Sequence, residues 1–334
     1  MDAPSLAAFK NLVNLAAEDL GSQVVFSSDD FFAEKENLLK KEEPVFIADK
    51  YTERGKWMDG WESRRKRELG YDRAVIKLGL PGKVKAVNID TRHFLGNHPA
   101  FASVDACKID SPTSTNVTLG EEKLWQEILP QVPLLRGSPN LFAVEKMGDY
   151  THVRLNIFPD GGVARFQVYG DVTPTTEQAE IIDLAGLIHG GQVVGCNDMF
   201  FGDMHNIIKP HPGVNMGDGW ETRRKRDWSE DWLVIKLGQK GSLEKIQLST
   251  DHFIGNYPKH FSLDGIDATD QKLRFYDGNE ADWVNVLSEI PLGPNETFNC
   301  EELKSAGPFT HVRLRIFPDG GVSRLRVMGK VVKD

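Results

Sequence analysis

"THVRLNIFPDGGVARFQVYG", residues 151–170, reads as two strands joined by a turn. Val153, Leu155 and Ile157 fall on one face and His152, Arg154 and Asn156 on the other, the period of two of a half-buried strand. In "PDGG" 159–162 the proline fixes φ and the glycines accept positive φ, so a turn is expected. "VARFQVYG" then returns with Ala164, Phe166 and Val168 inward, as the second arm of a β-hairpin. The stretch is written twice. "THVRLRIFPDGGVSR" occupies 310–324, an offset of 310 − 151 = 159, and Gly170 has its match in Gly329.

The same offset relates "GWESRRKR" 60–67 to "GWETRRKR" 219–226, "VIKLG" 75–79 to 234–238, and "HFLGNHP" 93–99 to "HFIGNYP" 252–258. "LWQEILPQVPL" 124–134 aligns with "DWVNVLSEIPL" 282–292 one residue out of step. Upstream, "DDFFAEKENLLK" 29–40 pairs with "NDMFFGDMHNIIK" 197–209, an offset of 200 − 31 = 169 at the Phe pairs. The ten extra residues fall within "KEEPVFIADKYTERGKW" 41–57, an insertion that a loop absorbs at small entropic cost. At 334 residues the chain is long for one core. Two domains, 1–170 and 171–334, are therefore expected, joined through "DVTPTTEQ" 171–178. Within a copy "AVIKLG" and "KVKAVNIDT" read as a strand pair around "LPG", and "GEEKLWQEIL" 120–129 as a short helix. Many short strands between long loops predict a mainly β fold: a tandem of two β-sandwich or jelly-roll domains.

The composition narrows the function classes. The formal charge of −9 argues against general attraction to nucleic acid or an acidic membrane surface. No run approaches the ~18 apolar residues of a membrane span. The opening "MDAPSLAAFKNLVNLAAEDLG" 1–21 reads as an amphipathic helix or strand-leading segment and not as a secretory signal. Three cysteines, Cys107, Cys196 and Cys300, are an odd number without close spacing, which predicts neither a disulfide framework nor zinc and points to a reduced, cytoplasmic protein. No H-x-H or H-E-x-x-H spacing occurs, so no cofactor is predicted; a divalent metal held by residues distant in sequence stays open.

The motifs are similar to those of the allantoicase (allantoate amidinohydrolase) family. The resemblance rests on Phe31-Phe32, "MDGWESRR" and "HFLGN" in the first copy, on Phe200-Phe201, "MGDGWETRR" and "HFIGN" in the second, and on the two "THVRLxIFPDGG" stretches. Ser63 in place of Thr, and the lack of a Gly before Asp59, are the departures in the first copy. The resemblance implies tandem jelly rolls of the galactose-binding-like type. It also implies hydrolysis of allantoate to ureidoglycolate and urea, in purine degradation.

Allantoate is a small anion with two ureido groups on one carbon. Its hydrolysis calls for a cation for the carboxylate, a proton donor for the leaving nitrogen and a base for water. Arginine's planar fork suits a carboxylate, which singles out Arg64 or Arg65 and their counterparts Arg223 or Arg224. A solvated face or a subunit contact is the competing reading of the same run. Glu62 and Glu221, beside those arginines, are expected to stay ionised and to serve as base or to orient the arginines. Asp59 and Asp218 read equally as partners that neutralise the basic run.

Of nine histidines two recur in both copies. His93 and His252 open a loop followed by Asn97 and Asn256, and form the acid–base candidates with hydrogen-bonding neighbours. His152 and His311 sit mid-strand and read as structural. Asn37 and Asn206 are further loop candidates. Trp61 and Trp220 would wall a pocket or fill the loop core. A homo-oligomer is expected as a possible assembly. Two other readings remain open: a tandem lectin-like binding protein without catalysis, and an enzyme in which only one copy works.

Overall fold

The computed structural model describes residues 12–109, 122–144, 146, 148–174, 180–227, 229–269 and 282–332. The chain divides into two units, Met1–Thr173 and Pro174–Asp334. Each is mainly β and each repeats one topology.

In the first unit everything is organised by one long strand, Asp72–Asp90. Its first part, through Lys77, lies between strands Gln23–Ser27 and Asp149–Phe158. Its second part lies between Pro139–Ala143 and Arg165–Val172. A strand has only two edges, so four partners mean that it passes from one layer of a sandwich into the other. The passage falls at Leu78–Pro81, where the pairing with Asp149–Phe158 skips register. Gly79 is needed there, because a Cβ would lie 2.4 Å from the Leu20 carbonyl oxygen. The expected strand pair around "LPG" is thus a single strand whose halves serve different layers. Phe101–Cys107 and then Gln126–Pro133 extend the first layer, and Val13–Asn14 pairs with Arg165–Val172 in the second.

The hairpin expected at 151–170 is corrected in the same way. Asp149–Phe158 and Arg165–Val172 are both antiparallel to the long strand, but they pair chiefly with its opposite halves, overlapping only at Gly82 and Lys83, and they do not pair with each other. "PDGG" crosses between layers, and Gly162–Val163 pairs instead with Trp61–Glu62. The alternation itself was legible: Val153, Leu155, Ile157, Ala164, Phe166 and Val168 are all fully buried. The opposite face is covered too. Arg154 is paired with Asp105 at 2.9 Å, and Asn156 donates to the same carboxylate.

The helix expected at 120–129 is a different structure over its described residues. Glu122–Leu124 is a 3-10 turn and Gln126–Pro133 an edge strand. Two β-bulges in its pairing with Phe101–Cys107 put Ile128 and Leu129 both inward. Bulges break the period of two, which is why the segment imitates helical spacing. The amphipathic reading of 1–21 survives only as the strand Val13–Asn14 and the 3-10 turn Glu18–Leu20, and residues 1–11 lie outside the described part.

The second unit repeats the plan on strand Asp231–Ser249. Gln192–Cys196 and Phe309–Phe317 flank its first half; Thr297–Cys300 and Arg324–Val331 flank its second. His260–Ile266 and Val284–Pro291 complete it, with the same bulged edge. Gly321–Val322 again pairs with Trp220–Glu221.

Candidate functional site

The site in each unit is built on the segment that opens the basic octapeptide. Trp61 is fully buried and donates its indole N–H to the Asp29 carbonyl at 2.8 Å; Trp220 does the same to Asp198 at 2.8 Å. These rings are core pins for the loop. Asn37 donates to the Gly60 carbonyl and Asn206 to that of Gly219, both at 3.0 Å, so they too hold the segment in place. Asp59 accepts from Arg165 at 2.8 Å and Asp218 from Arg324 at 2.7 Å. The carboxylates neutralise arginines at the start of a distant strand, not those of the octapeptide.

That framework fixes the backbone of Glu62 on both sides, against Ala33 and against Gly162. Its side chain is left to face a cavity of about 410 Å³ that is also lined by Asn97, His93, Phe46 and Lys56. Asn97 donates Nδ2–H to Glu62 Oε1 at 2.6 Å, while its backbone carbonyl accepts from Gly162 at 2.7 Å. Gly162 admits no side chain, since a Cβ would lie 2.0 Å from the buried Phe94 ring. Glu221 and Asn256 reproduce the pair at 2.6 Å, in a cavity of about 530 Å³ with Arg224, Tyr257 and Lys259.

The electrostatics depart from the expectation for Glu62. Burial raises its carboxyl above the usual range and the Asn97 hydrogen bond offsets this only in part. Among the described residues no arginine pairs with it: Arg64 points to Asp29, with Nε 2.6 Å from Oδ2 and the guanidinium over the Phe31 ring. Arg223 is held identically, 2.6 Å from Asp198 and over Phe200. Arg65 is exposed, while its counterpart Arg224 lines the second cavity.

His93 and His252 occupy the left-handed region, at φ of 70° and 73°. Such backbone in a non-glycine residue persists only where its surroundings hold it. His93 Nε2 lies 2.9 Å from the Pro44 carbonyl oxygen, and His252 Nε2 lies 2.8 Å from that of Gly213. A carbonyl can only accept, so Nε2 carries the proton and Nδ1 is the nitrogen left to exchange one. His93 lines the first cavity, stacked on Phe46. His252 is not among the residues lining the second. His152 is buried beside Thr151 and opposite Lys77, and burial followed by that charge pushes it down to about 4. His311 is likewise held at about 4, opposite Lys236.

Sequence reasoning missed Lys56, Phe46, Tyr257 and Lys259. Filtering for duplicated residues excludes Lys56 and Phe46 by construction, since they belong to the insertion. Among the described residues no group of three His, Cys, Asp or Glu side chains is disposed to hold a metal ion. Also among them, no helix is long and apolar enough to cross a membrane.

Two sandwiches of one topology, each presenting a half-buried glutamate–asparagine pair near a left-handed histidine turn, define a duplicated β-sandwich protein with a cavity at that pair in each repeat. The allantoicase repeat model matches residues 13–173 and 182–332. The chain belongs to the allantoicase family. The probable allantoicase of Acinetobacter baylyi is 44% identical over 96% of this chain and 95% of its own. That of Pseudomonas fluorescens is 43% identical over 98% of both. The crystal structure of allantoicase from Saccharomyces cerevisiae is 35% identical, covering 98% of this chain and 99% of that one, with a TM-score of 0.83.

Proposed function

We propose that this protein hydrolyses allantoate to ureidoglycolate and urea. The observation that carries the reading is the allantoicase match across both repeats, each with its glutamate–asparagine pair in a cavity of small-molecule size. In the first repeat Glu62 accepts the proton of the attacking water, whose oxygen bonds to the central carbon. The bond from that carbon to one ureido nitrogen breaks, and a second proton, taken up beforehand on His93 Nδ1, passes to the departing urea nitrogen; the proton held by Glu62 then replaces it and resets the site. Asn97 orients the carboxylate. Glu221 and Asn256 take the matching positions in the second repeat, where Arg224 faces the substrate carboxylate. His252 completes that site only if its turn moves toward the cavity. Arg64 and Arg223, paired with aspartates, act as braces of the loop, and Arg65 as a charge at the rim.

The three free cysteines support a reducing, cytoplasmic setting. The exposed Phe200 and Phe201 of the second repeat support assembly into a homo-oligomer. No observation favours the lectin-like reading. The test is incubation of the purified protein with allantoate, with urea measured across pH 6–9. Release of one urea per ureidoglycolate is expected, and no release, with or without divalent metal, refutes the reading.

A further inference from the structure

The two cavities share the glutamate–asparagine pair but not their cations. In the second repeat Arg224 and Lys259 line the cavity. In the first, Arg65 is not among the lining residues, and Ala100 stands where the repeat places Lys259, 259 − 159 = 100. The insertion supplies what is missing. Its Phe46 stacks on the His93 ring, and its hairpin of Tyr51–Thr52 with Gly55–Lys56 brings Lys56 to the cavity.

Lys56 is held in an unusual way. Its ammonium donates to the carbonyl oxygens of Ile47, at 2.9 Å, and Ala48, and lies 4.6 Å from the Tyr51 ring centroid and 5.0 Å from that of Phe46. Carbonyl dipoles and aromatic faces fix a cation in position without cancelling its charge. Two of the three N–H groups are used and one remains. Three cations close to this loop are neutralised by carboxylates, Arg64 by Asp29, Lys66 by Asp72 and Arg165 by Asp59, while Lys50 and Arg54 lie over Trp57 and Phe31 and do not line the cavity. Lys56 has no carboxylate partner among the described residues. A substrate carboxylate entering beside ionised Glu62 meets repulsion unless a cation offsets it, and Lys56 is the cation in that cavity.

We propose that Lys56 binds the substrate carboxylate in the first repeat, so that the two halves of the protein recognise the same anion with different cations. The assignment rests on the reading that the Glu62 cavity is where allantoate is hydrolysed. It makes the ten-residue insertion a specificity element.

The experiment uses the full chain carrying Glu221→Gln, which silences the second cavity, and measures turnover by the first. Lys56→Met keeps the aliphatic stem against the aromatic rings and removes the charge. It should raise KM roughly ten- to hundredfold, as expected for loss of a charge-assisted hydrogen bond, with kcat much less affected. Lys56→Arg should recover most of the loss. Lys50→Met, on the same insertion but with its ammonium over Trp57, should change nothing. Inhibition by ureidoacetate and by its uncharged amide separates recognition from mere loop support. Lys56→Met should weaken the carboxylate and spare the amide. Equal weakening of both, an unchanged KM, or a Glu221→Gln background without turnover overturns the assignment. Wild-type protein that releases no urea defeats the functional reading, and the role of Lys56 with it; normal wild-type turnover with a silent Lys56→Met confines the failure to Lys56.

Discussion

Asp218→Asn probes the framework that holds Glu221, and its cost can be worked from the structure. Asp218 accepts from Arg324 Nη2 at 2.7 Å and pairs with Lys209 at 3.1 Å. Arg324 is 5% exposed, and three more of its N–H groups go to the carbonyls of His211, Asp218 and Ser323. Burial alone would raise the Asp218 carboxyl; the Arg324 hydrogen bond, together with Lys209, overrides it and holds the group at about 2 against an ordinary 3.8. A folded-state pKa below the unfolded one contributes stability that is present above pH 3.8 and lost as pH falls through 2. The difference corresponds to about 2 kcal/mol. Asparagine also leaves a buried guanidinium without a counter-charge, which brings the expected loss at pH 7 to about 3–5 kcal/mol. That is a large part of the ~5–15 kcal/mol of a typical domain. Chemical denaturation of wild type and variant from pH 7 downward checks it. The gap should narrow by about 1 kcal/mol by pH 3 and about 2 kcal/mol by pH 2, because the wild-type carboxyl then becomes protonated. A gap below about 1 kcal/mol at pH 7, or one that does not change with pH, refutes the argument that this ion pair anchors the loop.

Glu62→Gln, in a chain whose second site is silenced, should cut allantoate turnover by roughly 10²–10⁴-fold. The same variant should be more stable than wild type at neutral pH. Burial raises this carboxyl, so its ionisation opposes folding, and the gain should vanish below the ordinary glutamate range; equal melting temperatures at neutral pH would contradict the raised pKa. His152 is held at about 4 from 6.5, so its protonation disfavours the folded state as pH falls from 6.5 to 4. His152→Gln should remove about 3 kcal/mol of that acid sensitivity, seen as a flatter stability profile over those pH values. Gly162→Ala places a methyl 2.0 Å from the Phe94 ring and next to the Glu62 pairing, so melting temperature and turnover should fall together. Arg64→Ala breaks an exposed ion pair and should shift stability by less than about 1 kcal/mol; a large rise in KM for allantoate would return Arg64 to the substrate.

The primary structure by itself determined the duplication, the mainly β class and the inward residues of the two strands in 151–170, and it singled out Glu62, Asn97 and His93, which line one cavity. Repetition and alternation are local or one-dimensional signals, and Val153, Leu155 and Ile157 face inward whichever strand lies beside them. Pairing partners are not local. The "PDGG" turn has hairpin chemistry, yet its two arms flank opposite halves of Asp72–Asp90, because that strand changes layer at Leu78–Pro81. The crossing is what seats Glu62 against Gly162. Charge partners were equally out of reach: four adjacent cations look alike in sequence, and only the positions of Asp29, Asp72 and Asp160 decide that Arg64 and Lys66 turn away from Glu62. Lys56 was hidden for the opposite reason. It lies in the stretch that carries the ten-residue insertion, and its place beside the Glu62 cavity depends on how residues 41–57 fold back over a site built elsewhere in the chain.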